Sequence, residues 1–367
     1  MPTAGSRTRA GTAARVQLVI SRSLPFLVVL LTALADLLTP EEERFDRLLV
    51  AAPPLAAVTW GVRGTIGIGL LAMAVRVLLG FDRGDSPLSG SFESETVLAL
   101  VTAASAWASR IRTRREQDLR ELTAVAEVVQ RVVLRPLPHR LGRFELHLLY
   151  VAAAAKARIG GDFYEAARIP GAVRVMLGDV QGKGLGAVET ASVLLGAFRA
   201  SVHDAPDLAA LADRLDEGLA RHDPRSDATE RFATVVLVEL PDDRDVARFL
   251  SLGHPTPLLQ HGSEVRTVRF AAPSLPVNLT GLADSRHRTE EVPFGPGDRM
   301  LLYTDGVSET RDRDGAFYPL EARMREWSGE PAPEFLARLH RDLVAHGAGG
   351  LDDDVAALLV VRPPDAS

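Results

Sequence analysis

The chain of 367 residues contains no cysteine. That absence excludes disulfides, thiolate zinc sites, iron–sulfur clusters and cysteine nucleophiles. An excess of positive charge is also lacking: 42 Lys and Arg stand against 48 Asp and Glu, a net charge of −6. This argues against a nucleic-acid partner, because such proteins present a basic face. No stretch reaches the roughly 18 uninterrupted apolar residues of an ideal membrane span. Any hydrolytic chemistry must therefore rest on carboxylates, histidines, hydroxyls or a metal held by oxygen and nitrogen. The length predicts two or three domains at about 150 residues each. A charged share of 25% is ordinary for a globular chain, so most of it should fold.

Residues 16–109 are nonetheless far more apolar than the rest. Charge is sparse in four stretches: Val16–Leu38, Leu48–Val62, Gly64–Phe81 and Thr96–Ser109. Arg22, Asp36 and Arg76 interrupt them near their ends, where a long side chain snorkels or a carboxylate reaches the interface. The segments Pro40–Arg47 and Asp82–Glu95 are mainly acidic. Arg7, Arg9 and Arg15 precede the first stretch, and Arg63 separates the second and third. Arg110, Arg112, Arg114, Arg115 and Arg120 follow the last. The positive-inside rule then predicts a cytoplasmic tail at 1–15 and a membrane region at 16–109. That region would hold about four transmembrane helices in the lipid bilayer of the cell membrane, with both ends cytoplasmic. A soluble domain of buried helices is the competing reading. A cleaved signal peptide fits less well, since Ser21–Thr39 has no clear small-residue cleavage site and further apolar segments follow.

Residues 110–138 read as a linker helix. Leu119, Leu122, Ala126, Val129 and Val133 step by three and four, a short heptad seam ended by Pro136 and Pro138. A parallel homodimer would set two such helices side by side beneath the membrane. The alternative is one amphipathic helix packed on its own domain. From Phe144 the pattern changes to mixed strand and helix. Phe144–Ala153, Ala172–Val180, Phe232–Leu240, Val246–Leu252, Val265–Phe270, Arg299–Tyr303 and Val355–Val361 have strand character. Leu185–His203, Leu208–His222, Leu320–Trp327 and Pro333–His346 look helical. Such interleaving predicts α+β layers rather than a strict βαβ alternation. Asp204–Glu230 also holds a charged segment with the character of a loop.

Four acidic motifs carry the chemistry: Ile159-Gly-Gly-Asp162-Phe-Tyr164, Gly178-Asp179-Val180-Gln-Gly-Lys-Gly184, Leu302-Tyr-Thr-Asp305-Gly-Val307 and Asp352-Asp353-Asp354-Val355. Glycine beside the acid permits a tight turn and a close backbone approach. A single Asp-Gly is usually a surface turn. Several aspartates converging without histidine or cysteine suit a hard divalent ion such as Mg²⁺ or Mn²⁺. Without metal such a cluster repels itself and raises its own pKa values. Two ions close together can activate a water and neutralise charge on a phosphoryl group.

In that order, the four motifs resemble those of the PPM-type (protein phosphatase 2C-like) metal-dependent serine/threonine phosphatases, in the bacterial branch of SpoIIE and RsbU. The resemblance runs over about Val129–Val361. It includes Gln130–Pro138, the strand Phe232–Leu240 and the turn Gly253-His254-Pro255. It implies an α+β fold for residues 139–367, two packed antiparallel sheets flanked by helices. Asp162 would be a metal ligand or an acid standing behind one. Asp179 would bridge two Mn²⁺ or Mg²⁺ ions, with the Val180 carbonyl as a further ligand. Asp305 would bind one ion and Asp353 the other, while Asp354 occupies a position where the family has a second acid or amide. The implied reaction is hydrolysis of phosphoserine or phosphothreonine by a water activated between the metals. The implied substrate is a phosphorylated regulatory protein, often an anti-sigma-factor antagonist of the STAS type. The paired helices at 185–222 follow the Asp179 motif directly and are candidates for a regulatory switch.

This chain departs from the family pattern in places. Glu165 replaces a usual aspartate, Ala356 replaces a common serine or threonine, and Ser251-Leu252 replace Asn-Ala before Gly253. None of these removes an implied ligand. A catalytically silent membrane receptor or scaffold with a phosphatase-like domain is the alternative, and loss of ligands would have signalled it. The Gly160-Gly161-Asp162 run also begins a diguanylate-cyclase signature, but Phe163-Tyr164 follow where Glu-Phe is required. Gly178–Gly184 is too short for a P-loop and has Gly184 where Ser or Thr must follow Lys183. His254 is either a general acid or a structural turn residue, the latter being the commoner case beside a proline.

Overall fold

A computed structural model of the chain describes residues 5–39, 45–82, 91–152, 160–222, 231–271, 274–282, 287–347, 350–351 and 353–364. The chain divides into two compact units, Met1–Arg120 and Glu121–Ser367.

The first unit is helical. It comprises α1 (Gly5–Leu38), a 3₁₀ segment (Asp46–Ala51), α2 (Ala52–Thr59), α3 (Val62–Asp82) and the first part of α4 (Ser91–Val133). Among the described residues two helices are long and apolar enough to cross a membrane. Their apolar windows are Ser21–Leu38 and Val62–Leu79, with mean hydropathy 1.6 and 1.7. The stretch Leu48–Val62 is divided instead: Pro53 fits the first turn of α2, and extended Trp60 ends that helix. The stretch Thr96–Ser109 does not end near Ser109. It continues as α4 through the linker to Val133, because no proline or glycine interrupts residues 91–135. The seam positions Leu119, Leu122, Ala126, Val129 and Val133 lie on this helix, but their side chains lie outside the described residues. A small core of Val29, Leu49, Ala52, Ala56, Ile68, Ala72 and Leu98 joins the helices. Leu30, Leu34, Leu37, Leu70 and Leu78 remain exposed on the outer faces.

The second unit contains β1 (Arg140–Leu141), β2 (Phe144–Val151), β3 (Phe163–Ile169), β4 (Ala172–Val180), α5 (Leu185–Ser201), α6 (Leu208–His222), β5 (Ala233–Pro241), β6 (Val246–Leu252), β7 (Leu258–His261), β8 (Glu264–Thr267), β9 (Glu290–Pro293), β10 (Arg299–Tyr303), α7 (Asp305–Ser308), α8 (Leu320–Glu326), α9 (Ala332–His346) and β11 (Val355–Val361). The strands form two sheets, ordered β1-β2-β11-β10-β7-β8 and β3-β4-β5-β6-β9. Every strand pair within them is antiparallel. The α+β expectation is met. Strands β1, β3, β7 and β9 were not anticipated, since they are short or partly polar, and a two-residue burial alternation is weak over two to four residues.

Side-chain alternation explains the layers. On β11, Ala356, Leu358 and Val360 join a core with β4, β5, α5 and α6. Val355, Ala357 and Leu359 point the other way, into a core with α8 and α9. β10 repeats this, with Met300 and Leu302 on one side and Leu301 and Tyr303 on the other. Central strands buried on both faces read as largely apolar runs: β11 without interruption, β4 and β5 interrupted by the Arg174–Glu239 pair among others. On α6 the buried Leu208, Leu211, Ala212, Leu215 and Leu219 form one helical stripe. Among the buried charges, the Arg174 guanidinium donates to Glu239 at 2.9 Å and to the carbonyls of Val202 and Ala205 at 2.9 and 2.7 Å. This fastens the α5–α6 turn to the sheet.

Candidate metal centre

The acids gather where strand ends from both sheets meet. Phe163 pairs with Gly178, so one further step of the register sets Asp162 beside Asp179. Asp179 in turn stands opposite Thr234. On the other sheet, Tyr303 pairs with Ala357, and the Thr304 amide donates to the Ala356 carbonyl at 3.0 Å. Asp305 opens α7 directly after β10, and Asp353 and Asp354 directly precede β11. Asp352 and Ile159 lie outside the described residues.

Three contacts tie the motifs together. The Thr304 hydroxyl, itself accepting from the Ala356 amide at 3.0 Å, donates to Asp162 at 2.8 Å across the two sheets. Gly160 lies so close to the Asp354 carboxylate that a Cβ there would overlap it. A Cβ on Gly161 would stand 2.6 Å from the Val180 carbonyl and 2.9 Å from the Asp179 carboxylate. The two glycines therefore leave the space in which backbone and carboxylate oxygens converge. Each sequence-predicted site residue, Asp162, Asp179, Val180, Asp305, Asp353 and Asp354, belongs to this one place.

Electrostatics follow from the crowding. Burial, then the neighbouring Asp179 charge, raises the Asp162 pKa well above the usual carboxylate range, while the Thr304 hydroxyl opposes the rise. Burial, then Asp305, pushes Asp179 up to about 7 against a hydrogen bond from Asp162. A protonated Asp162 donating to Asp179 is the arrangement two crowded acids adopt in the absence of cations. Asp305 is raised by burial, Asp353 and Glu309, and lowered by the Gly306 amide and Lys183. The half-buried phenol of Tyr150 on β2 is raised by desolvation and then by Asp354, Asp162, Tyr164 and Asp179.

The donor set is entirely oxygen and strongly anionic, which fits hard divalent cations and no soft metal. Among the described residues no three acids already form a closed coordination group. The acids surround the place rather than chelate within it. Lys183, on the loop between β4 and α5, donates to Asp353 at 2.7 Å and is the ammonium that offsets part of the charge. A cleft of about 250 Å³ opens beside Asp305 and Asp353 and is also lined by Glu309, Thr310 and Arg311.

Thr304, Tyr150, Glu309 and Arg311 were not singled out from the sequence. Thr304 directly precedes Asp305, so adjacency to a motif acid was the available signal. Tyr150 carried none, because its role depends on strand pairing between distant segments. His254 is settled by its surroundings. It is buried, shares a hydrogen bond of 3.0 Å with Thr234, and burial pulls its pKa down to about 3. It is therefore neutral and structural, not a general acid near pH 7.

Comparison with known proteins identifies the fold. The fold is that of protein phosphatase 2C domains. The chain is similar to the SiaA phosphatase 2C domain of Pseudomonas aeruginosa at 20% identity, with 69% of this chain and 98% of that one covered and a TM-score of 0.54. It is similar to the RsbU and RsbW domains of a Mycobacterium tuberculosis protein at 24% identity, 61% coverage of each chain and a TM-score of 0.50. It is also similar to the phosphatase domain, with a fragment of the regulatory domain, of the Bacillus subtilis cell-fate determinant SpoIIE: 16% identity, 61% and 63% coverage, TM-score 0.50. The chain thus spans less than two thirds of the Mycobacterium and Bacillus structures. Residues 169–363 match the family model of stage II sporulation protein E, SpoIIE, and the chain belongs to that family.

Proposed function

We propose that the chain is a membrane-anchored, divalent-metal-dependent protein serine/threonine phosphatase with its catalytic domain at the cytoplasmic face. The observation that carries the proposal is the convergence of Asp162, Asp179, Asp305, Asp353 and Asp354 from four separate motifs of a SpoIIE-family chain. Asp179, central to the group, would bridge two ions of Mn²⁺ or Mg²⁺. Asp305 would hold one and Asp353 the other, with Asp162, Asp354 and the Val180 carbonyl completing the oxygen set. Bound there, the ions would supply Lewis acidity to a water and to the phosphoryl oxygens. Thr304 fixes the orientation of Asp162. Arg311, in the cleft beside Asp305 and Asp353, offers positive charge to the phosphate of an incoming side chain. The hydroxyl of serine or threonine is the leaving group.

The substrate proposed is a phosphorylated regulatory protein, an anti-sigma-factor antagonist of the STAS type, as the SpoIIE and RsbU resemblance implies. The apolar windows of α1 and α3 support the membrane anchor. The continuous α4 supports a linker helix at 110–138 that pairs in a homodimer and carries a signal to the domain at 139–367. The test uses the full chain in lipid nanodiscs with a phosphoserine peptide and increasing Mn²⁺. Metal-dependent release of phosphate, abolished by Asp179→Ala and by Asp305→Ala, is expected. A folded, inserted protein with no metal-dependent turnover on peptide or protein substrates would overturn the proposal in favour of a silent scaffold.

A further inference from the structure

A second site lies in the helical unit, far in sequence from the acids. Arg22, Thr59, Trp60, Arg63 and Gly64 line a cleft of about 490 Å³. Its frame is built from all four helices. The Trp60 indole N–H donates to the Arg22 carbonyl at 3.2 Å, which ties α1 to the end of α2. The Trp60 carbonyl accepts from Ser109 and from the Arg112 guanidinium, each at 2.9 Å, which brings α4 to the same point. The indole packs so closely on Gly64 that a side chain there would collide with it, so α3 begins against the ring. Phe26 meets the ring edge-on, with centroids 5.5 Å apart.

The position of this cleft is specific. Both apolar windows, Ser21–Leu38 and Val62–Leu79, begin here. Only 22% and 28% of those windows are buried within the protein, so their outward faces are apolar and uncovered. Arg22 and Arg63 are exposed, and among the described residues neither guanidinium has a carboxylate partner. Two guanidiniums and an indole at the boundary between polar and apolar surface match a phosphodiester joined to acyl chains. The guanidiniums suit phosphate oxygens, the indole suits the interface, and the chains suit the apolar faces. Free phosphate would satisfy the guanidiniums alone.

We propose that this cleft binds the headgroup of an anionic phospholipid, with Arg22 and Arg63 holding the phosphate and the acyl chains lying along α1 and α3. The proposal rests on the membrane placement given above, and the test separates the two. Full-length protein carrying Trp107→Phe, whose remaining tryptophans are Trp60 and the buried Trp327 of the second unit, is reconstituted into phosphatidylcholine vesicles containing brominated phosphatidylglycerol or, at the same fraction, brominated phosphatidylcholine. Flotation reports insertion, and quenching of Trp60 reports the neighbouring lipid. Brominated phosphatidylglycerol should quench more strongly. That preference should fall on the order of fivefold for each of Arg22→Gln and Arg63→Gln. It should persist in Arg22→Lys/Arg63→Lys, which keeps the charge. Excess inorganic phosphate should leave it unchanged. Insertion with equal quenching by both lipids, or an undiminished preference in Arg22→Gln/Arg63→Gln, would overturn the lipid site and leave the anchor standing. Competition by inorganic phosphate would reassign the arginines to a soluble anion and overturn it too. Protein that fails to float would overturn the anchor and this site together.

Discussion

Replacing Asp179 by asparagine should stabilise the metal-free protein while abolishing its response to divalent cations. Burial and the charges of Asp305, Asp353 and Asp354 raise the Asp179 pKa from its ordinary 3.8 to about 7. Between those values the folded state holds a proton that the unfolded chain has released. Stability of the metal-free fold therefore falls as pH rises from about 4 to about 7, and the loss is complete above that range. A shift of this size corresponds to about 4 kcal/mol. Asparagine has nearly the same shape and no charge, so the variant escapes this loss. At roughly 2–4 °C per kcal/mol for a domain of this size, its unfolding midpoint in chelator at pH 8 should exceed that of the wild type by about 10 °C. At pH 5 the difference should shrink below half, because the folded wild-type carboxyl is then protonated. Added Mn²⁺ should reverse the order, since a cation that binds only the folded wild type stabilises it by mass action. The assay is thermal unfolding of the full chain in nanodiscs, at both pH values, with chelator or with Mn²⁺. Trp327, buried against α9, is the fluorescent reporter within the second unit. A variant less stable than wild type in chelator at pH 8 would refute the reading of these acids as mutually repelling groups awaiting a cation.

Three other perturbations probe the same architecture. Gly160→Ala would drive a methyl group into the Asp354 carboxylate, and Mn²⁺ binding followed by electron paramagnetic resonance should weaken about tenfold. Lys183→Met removes the ammonium that pairs with Asp353 at 2.7 Å. An exposed pair of this kind is worth up to about 1 kcal/mol, so Mn²⁺ should bind up to about fivefold tighter; weaker binding would show that Lys183 supports the cation rather than competing with it. Leu122→Glu places a charge in the proposed seam of the linker helix, and mass photometry in nanodiscs should register a shift from dimer to monomer with reduced phosphatase activity. Unchanged mass and activity would assign that helix to a single chain.

Much of this was legible along the chain because the informative residues are local. Each acid sits next to a glycine or at a strand end; β11 is a continuous apolar run and β4, β5 and β10 are largely apolar, as both-faced burial requires. Less legible were the short strands. β9 alternates half-buried and exposed positions and owes its existence to pairing with β6. The helix ends at Val133, shortly before Pro136 and Pro138, but no boundary marks the start of the linker, since Thr96–Ser109 and the following arginines continue one helix. Hydropathy separated those segments where the backbone does not.

By itself the sequence determined the chemistry available: no thiol, an oxygen-rich set of acids, an apolar N-terminal region, and four acidic motifs in an order that one family uses. Those are properties of composition, adjacency and order. Only the tertiary structure decided which groups act together. Asp162 and Thr304 are 142 positions apart, yet a 2.8 Å hydrogen bond joins them because strand ends from two sheets meet there. Tyr150 faces the acids and His254 is buried and neutral for the same reason. Arg22 and Arg63 share one cleft because Trp60, at the end of α2, bonds to α1 and α4 and packs on the start of α3. Charges and hydrogen bonds act over a few ångströms of space, and the fold sets those distances irrespective of separation along the chain.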